Sequence, residues 1–84
     1  PAPTQANVSV GDNFFDPTAA TIAAGGQVTW TWNGAVTHNV TFPAGTNSSN
    51  QASGTFTRTF ATAGTFNYLC TIHGAAMSGQ VVVQ

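Results

Sequence analysis

The sequence predicts an all-β fold, a Greek-key β-sandwich of seven or eight short strands. Three observations lead there. Helix formers are scarce: Glu and Lys are absent and Leu occurs once, while Thr occurs 14 times and Val 8 times. Apolar and polar residues alternate with period two, most clearly where Val28, Trp30 and Trp32 interleave with Thr29, Thr31 and Asn33. Clusters of Gly, Asn, Asp and Pro interrupt the chain at short intervals, as in a sandwich or barrel.

Each element follows from its own residues. Residues 1–5, with Pro1 and Pro3, read as a loose lead-in to one domain spanning 1–84. Asn7–Val10 alternates as a half-buried strand, and Gly11-Asp12-Asn13 is a turn. Phe14-Phe15 runs into Asp16-Pro17, and Pro17 confines that strand to an edge or an end. Ile22 begins another short pairing segment, and Gly25-Gly26 turns the chain into the strand Gln27–Asn33. After the loop Gly34–Thr37, His38–Phe42 is the next strand. Pro43–Gly54, rich in Gly, Asn, Ser and Ala, is a long loop. Thr55–Phe60 places Phe56, Arg58 and Phe60 on one face, and Thr65–Cys70 aligns Phe66, Tyr68 and Cys70. Thr71–Ser78 reads as a loop and Gly79–Val83 as the closing strand.

Size and charge exclude several functions. A domain of 84 residues buries only roughly 60–65% of the surface its unfolded chain exposes, so a bound metal would help its thin core. The single cysteine rules out an intramolecular disulfide. Two Asp and one Arg are the only charged residues, where an average chain of this length carries roughly 20. Arg58 alone builds no phosphate-binding surface, so no nucleic-acid partner is expected. No apolar run approaches the ~20 residues of a membrane span, so direct membrane insertion is not expected either. The start Pro1-Ala2-Pro3, without Met, reads as a processed or excised chain. It predicts an exported protein, periplasmic or extracellular, in some settings cut from a tethered or longer chain.

The chemistry concentrates in one stretch. Cys70, His73 and Met77 follow a C-x2-H-x3-M spacing in which a thiolate, an imidazole and a thioether lie within eight residues. Cys70 and Met77 are the only residues of their kinds, and the other of the two histidines, His38, opens a strand far upstream. Soft sulfur suits Cu(I) and imidazole suits Cu(II), so this mixed set accommodates both states of a copper ion. Taken singly, a buried Cys or Met is more often core filler. Together, at this spacing, the four point to a metal site. Zinc also accepts such N and S donors, although Cu(II) outcompetes it at equal availability. A Cys–His nucleophile pair is formally present, but His73, three residues away on a tight loop, is a poor base for Cys70, and with Asp12 and Asp16 near the start no carboxylate pair is placed for acid–base work. Glycosylation sequons at Asn7, Asn39 and Asn47 carry little weight in so Thr-rich a chain.

These residues resemble the cupredoxins, the small blue copper proteins, and within them the plastocyanin/amicyanin-like group. The likeness runs through Phe15-Asp16-Pro17, Gly26–Trp30, Thr37-His38-Asn39-Val40, Gly64–His73 and Gly79–Val83. It implies one copper ion (Cu+/Cu2+), with His38, Cys70 and His73 as strong ligands and Met77 as a weak axial one. It also implies a hydrogen bond from Asn39, beside the first His, across to Thr71 after the Cys. Plastocyanin-like loops place four residues between His and Met, and amicyanin-like loops two. This chain has three, and Gln80 is the next axial candidate.

The expected function is one-electron transfer by Cu(I)/Cu(II) cycling, without enzymatic chemistry, in a monomer. Redox partner proteins would dock transiently through an apolar patch around His73 formed by Ala35, Val36, Pro43, Gly74, Ala75 and Ala76. Two alternatives stand beside it. One is a periplasmic copper carrier or chaperone, which must release its ion. The other is a metal-free β-sandwich interaction domain, which would bind none.

Overall fold

Period-two burial organises the strands. The computed structural model describes residues 2–43, 45 and 47–84, with Ala75 described in its backbone only. Among these residues there are seven strands and no helix: β1 (Gln5–Gly11), β2 (Phe14–Asp16), β3 (Ala19–Ile22), β4 (Gln27–Trp32), β5 (Thr55–Thr59), β6 (Gly64–Cys70) and β7 (Gly74–Val83). In β4, Val28, Trp30 and Trp32 are buried while Gln27, Thr29 and Thr31 remain half-exposed. Thr29 and Thr57 join their hydroxyls across β4 and β5 at 3.1 Å on the outer face.

Two mixed sheets result, β2-β1-β4-β5 and β3-β7-β6. β1 pairs β2 antiparallel and β4 parallel; β3 pairs β7 parallel, and β6 pairs β7 antiparallel. The chain crosses between sheets at β2–β3, β3–β4 and β5–β6, the Greek-key manner of closing a sandwich. β2, which ends at Pro17, is an edge strand, as a residue without an N–H requires.

The inner faces meet in an aromatic core. Tyr68 sits among Phe15 at 4.7 Å, Phe42 at 5.2 Å and Trp30 at 5.4 Å between ring centroids. Val8, Val10, Ile22, Val28 and Val81 fill the space around them. Each fully buried side chain of this kind contributes about 1.5–3 kcal/mol relative to exposure. Arg58, the only cationic side chain, lays its guanidinium over Phe42 and Phe60, 4.3 and 4.8 Å from their centroids.

Four local expectations are corrected. The lead-in is not loose through residue 5: Gln5 belongs to β1, and the carbonyls of Pro3 and Thr4 accept from the N–H groups of Ala23 (2.7 Å) and Gln27 (3.0 Å). The parallel β1–β4 ladder simply continues to that end. Ile22 closes its strand rather than opening it, because β3 finds its partner in Ala19–Ile22 against Gln80–Val83. The stretch 38–42 is not a regular strand. His38 bridges to Gln51 and Thr41 to Leu69, while side chains take the intervening N–H groups: Ser48 Oγ that of Val40 at 2.7 Å, Asn47 Oδ1 that of Phe42 at 2.8 Å. Finally, the loop after Cys70 is confined to Thr71–His73, and β7 starts at Gly74.

Tyr68 yields a test of the packing. It is the only tyrosine, and burial pushes its phenol up to about 12. The Trp30 indole N–H pulls weakly the other way, although neither atom has a hydrogen-bond partner among the described residues. The unfolded chain therefore releases this proton first. Stability is unaffected below pH of about 10 and then falls by about 1.4 kcal/mol per pH unit until the folded phenol also ionises. Ultraviolet phenolate absorption and denaturant midpoints of the apo protein between pH 9 and 12 check this, and Tyr68→Phe should remove the slope.

Candidate metal centre

A fully buried imidazole must be held by its surroundings, and His38 is held at every polar atom. Its exposure is 0%. Its N–H donates to the Gln51 carbonyl at 3.0 Å, and its carbonyl accepts from Gln51 N at 3.0 Å and from the Trp32 indole Nε1 at 3.1 Å. The last bond ties the site to β4 and the core. On the ring, Nε2 lies 3.3 Å from Asp12 Oδ1, and Nδ1 lies 3.9 Å from Cys70 Sγ.

Cys70 ends β6 with its side chain wholly buried and outside any disulfide. His73 follows after a single turn, closed by a bond from its N–H to the Cys70 carbonyl at 3.2 Å. Its Nδ1 comes 3.7 Å from Cys70 Sγ, and its half-buried ring lies 4.9 Å from that of His38. Gly74 then reverses the chain with φ +69°, a conformation that glycine adopts without penalty.

The β6–β7 register explains where Met77 goes. Gly64 to Leu69 pair in unbroken register with Val83 to Ser78, and one further step would set Met77 opposite Cys70. Instead Cys70 pairs with Gly74, so Ala75, Ala76 and Met77 form a bulge in β7. The Met77 side chain is turned inward and is 1% exposed.

Ligand atoms of His38, Cys70 and His73 all lie within 4.8 Å of one another. An ion ringed by one sulfur at about 2.3 Å and nitrogens at about 2.0–2.1 Å sets those donors about 3.8 Å apart. The two Sγ-to-Nδ1 separations of 3.7 and 3.9 Å match it, so the residues fit a metal.

Asn39 clamps this geometry from behind. It is 3% exposed and uses its whole hydrogen-bonding capacity. Its Nδ2 donates to Thr71 Oγ1 and Asn50 Oδ1, both at 2.8 Å, and its Oδ1 accepts from Thr71 N at 3.0 Å and Thr41 Oγ1 at 2.9 Å. The Asn39–Thr71 link thus joins the segment carrying His38 to the turn carrying His73. A buried side chain committed in this way is no glycosylation acceptor.

The structure adds residues that the sequence did not single out. Asp12 Oδ1 accepts from the N–H groups of Ala35 at 3.2 Å and Val36 at 3.3 Å besides meeting His38. The hydrogen bond with His38 holds its carboxyl below the ordinary carboxylate range; desolvation opposes this, and the two backbone N–H groups reinforce it. No sequence signal links positions 12 and 38. Ile72, between Cys70 and His73, is 48% exposed and Val36 is 50% exposed. Of the other expected patch residues, Ala35, Pro43 and Ala76 are exposed and Gly74 is half-buried, while the Ala75 side chain lies outside the described residues.

Comparison with known proteins agrees with this geometry. The family of copper binding proteins described as plastocyanin/azurin matches residues 2–84. A chloroplastic plastocyanin of Tetradesmus obliquus is 39% identical over 94% of this chain and 67% of its own. An amicyanin-alpha of Methylorubrum extorquens is 34% identical over 92% and 70%. The structure of a purple cupredoxin from Nitrosopumilus maritimus superposes with a TM-score of 0.82 at 25% identity, covering 94% and 99%. The chain belongs to the plastocyanin/azurin family, a cupredoxin of the plastocyanin/amicyanin group, and copper is its cofactor.

Removing the Asn39 clamp should be costly even without metal. Asn39→Ala leaves Thr71 and Thr41 without their partner and should destabilise the apo protein by about 1–3 kcal/mol in denaturant unfolding. A loss below about 0.5 kcal/mol would show that the clamp contributes little.

Proposed function

We propose that the chain is an electron carrier. His38, Cys70 and His73 would hold one copper ion, with Met77 as a weaker fourth donor, and the ion would supply a one-electron Cu(I)/Cu(II) couple. The observation that carries this reading is the gathering of one thiol and two imidazoles within 4.8 Å, two of the three completely buried. Bound copper supplies the one-electron couple. The protein supplies a fixed frame: His38 through Asp12, Gln51 and Trp32, and the Cys70–His73 turn through Asn39. A frame that does not rearrange keeps the reorganisation accompanying each electron small.

His73 is the port for the electron. It is the half-buried donor, next to exposed Ile72. Redox partner proteins would dock transiently on the exposed or half-buried apolar residues of the segments next to the ligands, Val36, Ile72, Ala35, Gly74 and Ala76, whereas Pro43 lies beside Arg58, Thr65 and Phe66, down β6 from Cys70. The names of the relatives, a plastocyanin and an amicyanin, support the same role. The reading is of a monomeric single domain that makes no bond to a substrate, working outside the cytoplasm in a periplasmic or extracellular compartment. A carrier that hands over its ion would need donors open to an acceptor, and the closure over His38, Cys70 and Met77 disfavours that role.

One equivalent of Cu(II) added to the apo protein should give an intense blue or green absorption that ascorbate bleaches and that Cys70→Ser lacks. A pale Cu(II) spectrum overturns the reading. Met77→Leu should retain the colour with an altered blue-to-green balance, since the axial ligand tunes the site. With only three charged residues, the electron-transfer rate with a natural partner should vary little with ionic strength in stopped-flow measurements. A steep fall with salt would contradict apolar docking.

A further inference from the structure

We propose that Asp12, in the turn between β1 and β2, is a positioning residue for the copper site. Its Oδ1 fixes the His38 ring so that Nδ1 turns toward Cys70, and its charge biases the site toward the oxidised ion. The proposal rests on the copper reading above and extends it to a residue outside the ligand set.

The ring geometry is the first ground. A buried imidazole has two nitrogens to satisfy, and here they face opposite partners: Nε2 meets Asp12 Oδ1 at 3.3 Å, Nδ1 meets Cys70 Sγ at 3.9 Å. With Nε2–H donating to the carboxylate, the lone pair is left on Nδ1, on the side of the other two donors. A carboxylate behind a ligating histidine sets its tautomer and makes its free nitrogen a better donor.

The second ground is that the same oxygen holds the approach to His38. Asp12 Oδ1 also accepts from Ala35 N at 3.2 Å and Val36 N at 3.3 Å. One atom therefore sets both the path of the loop before His38 and the rotation of its ring. Gly34 makes room for it: a Cβ there would stand 2.2 Å from Oδ1, inside any permissible contact. The carboxylate reaches the loop because position 34 carries no side chain.

Charge is the third ground. The chain has two acidic residues and one arginine, and among the described residues the contact with His38 is the only ion-pair geometry Asp12 enters. Arg58, stacked on Phe42 and Phe60, does not neutralise it. Oxidised copper carries one more positive charge than reduced copper, so an unneutralised carboxylate one imidazole away favours the oxidised state. The Asp12 side chain is 47% exposed, which screens the effect without removing it.

Three variants test the proposal. Asp12→Asn keeps an acceptor for the two loop N–H groups and the ring but removes the charge. Its reduction potential should rise, shifting the Cu(I)/Cu(II) balance toward Cu(I) by about two- to fivefold. Asp12→Ala removes charge and acceptor together, and should also weaken copper binding by about 10- to 100-fold. Gly34→Ala should displace the carboxylate and reproduce the Asp12→Ala behaviour. Nitrogen NMR of the apo protein reads the ring itself: His38 should hold a single Nε2–H tautomer in the native chain and a mixture in Asp12→Ala. If Asp12→Asn leaves the potential unchanged and Asp12→Ala leaves the tautomer unchanged, Asp12 is a loop staple and the proposal is wrong. If the native chain fails to form a coloured copper site, the copper reading falls by itself, and the apo tautomer still decides whether Asp12 positions His38.

Discussion

The complete burial of His38 is the constraint on which the rest of the site depends. An imidazole removed from water costs several kcal/mol unless its polar atoms find partners. The ring meets Asp12 from the β1–β2 turn and Cys70 from β6, while the main chain of His38 bonds the Trp32 indole from β4 and Gln51 from the 43–54 region. Satisfying one residue thus draws four separated segments to one end of the sandwich. The segment 38–42 gives up regular strand pairing in return, since its N–H groups are served by Ser48 and Asn47 instead.

The two sheets divide the remaining work. The sheet containing β4 supplies rigidity through Trp30 and Trp32, which connect the aromatic core to the back of the site. The sheet containing β6 and β7 carries Cys70 at the end of one strand and Met77 in a bulge of its neighbour, with His73 in the turn between them, while His38 comes from the 38–42 segment outside both sheets. Asn39 links the His38 segment to the turn after Cys70, with all four of its side-chain hydrogen bonds used. A polar network that is fully satisfied in a dry interior is stiff, and stiffness is the property a redox site needs most.

The thiol and the two imidazoles that the structure gathers were legible in the sequence because rarity made them so: one Cys and two His leave few ways to build a soft metal site. The strands were legible where period-two burial is strong, as in β4 and β6. The end of the turn after Cys70 was not legible, because Gly74, Ala75 and Ala76 carry no alternation and only backbone pairing with β6 recruits Gly74 into β7. Ile72 was overlooked for lying between two ligands, where its exposure depends on how tightly the turn closes. Asp12 was hidden for a different reason. Its partner is 26 positions away, and the contact exists only because the β1–β2 turn folds over the Gly34 loop.

The parallel pairing of β3 with β7 carries a consequence for how the molecule comes into being. Ala19 and Gln80 are direct neighbours although about sixty residues separate them. A parallel pair cannot close through a hairpin, so β3 has no local partner in this sheet, whereas β7 pairs locally with β6. Sheet β3-β7-β6 therefore assembles only when the intervening chain is present and free to come together, which places folding among the slow, long-range cases. Cys70 and Met77 belong to that sheet, so their burial accompanies its closure. A chain severed between β3 and β7 would forfeit a sheet and a ligand set together and leave the apolar face of β1 and β4 uncovered, an aggregation hazard.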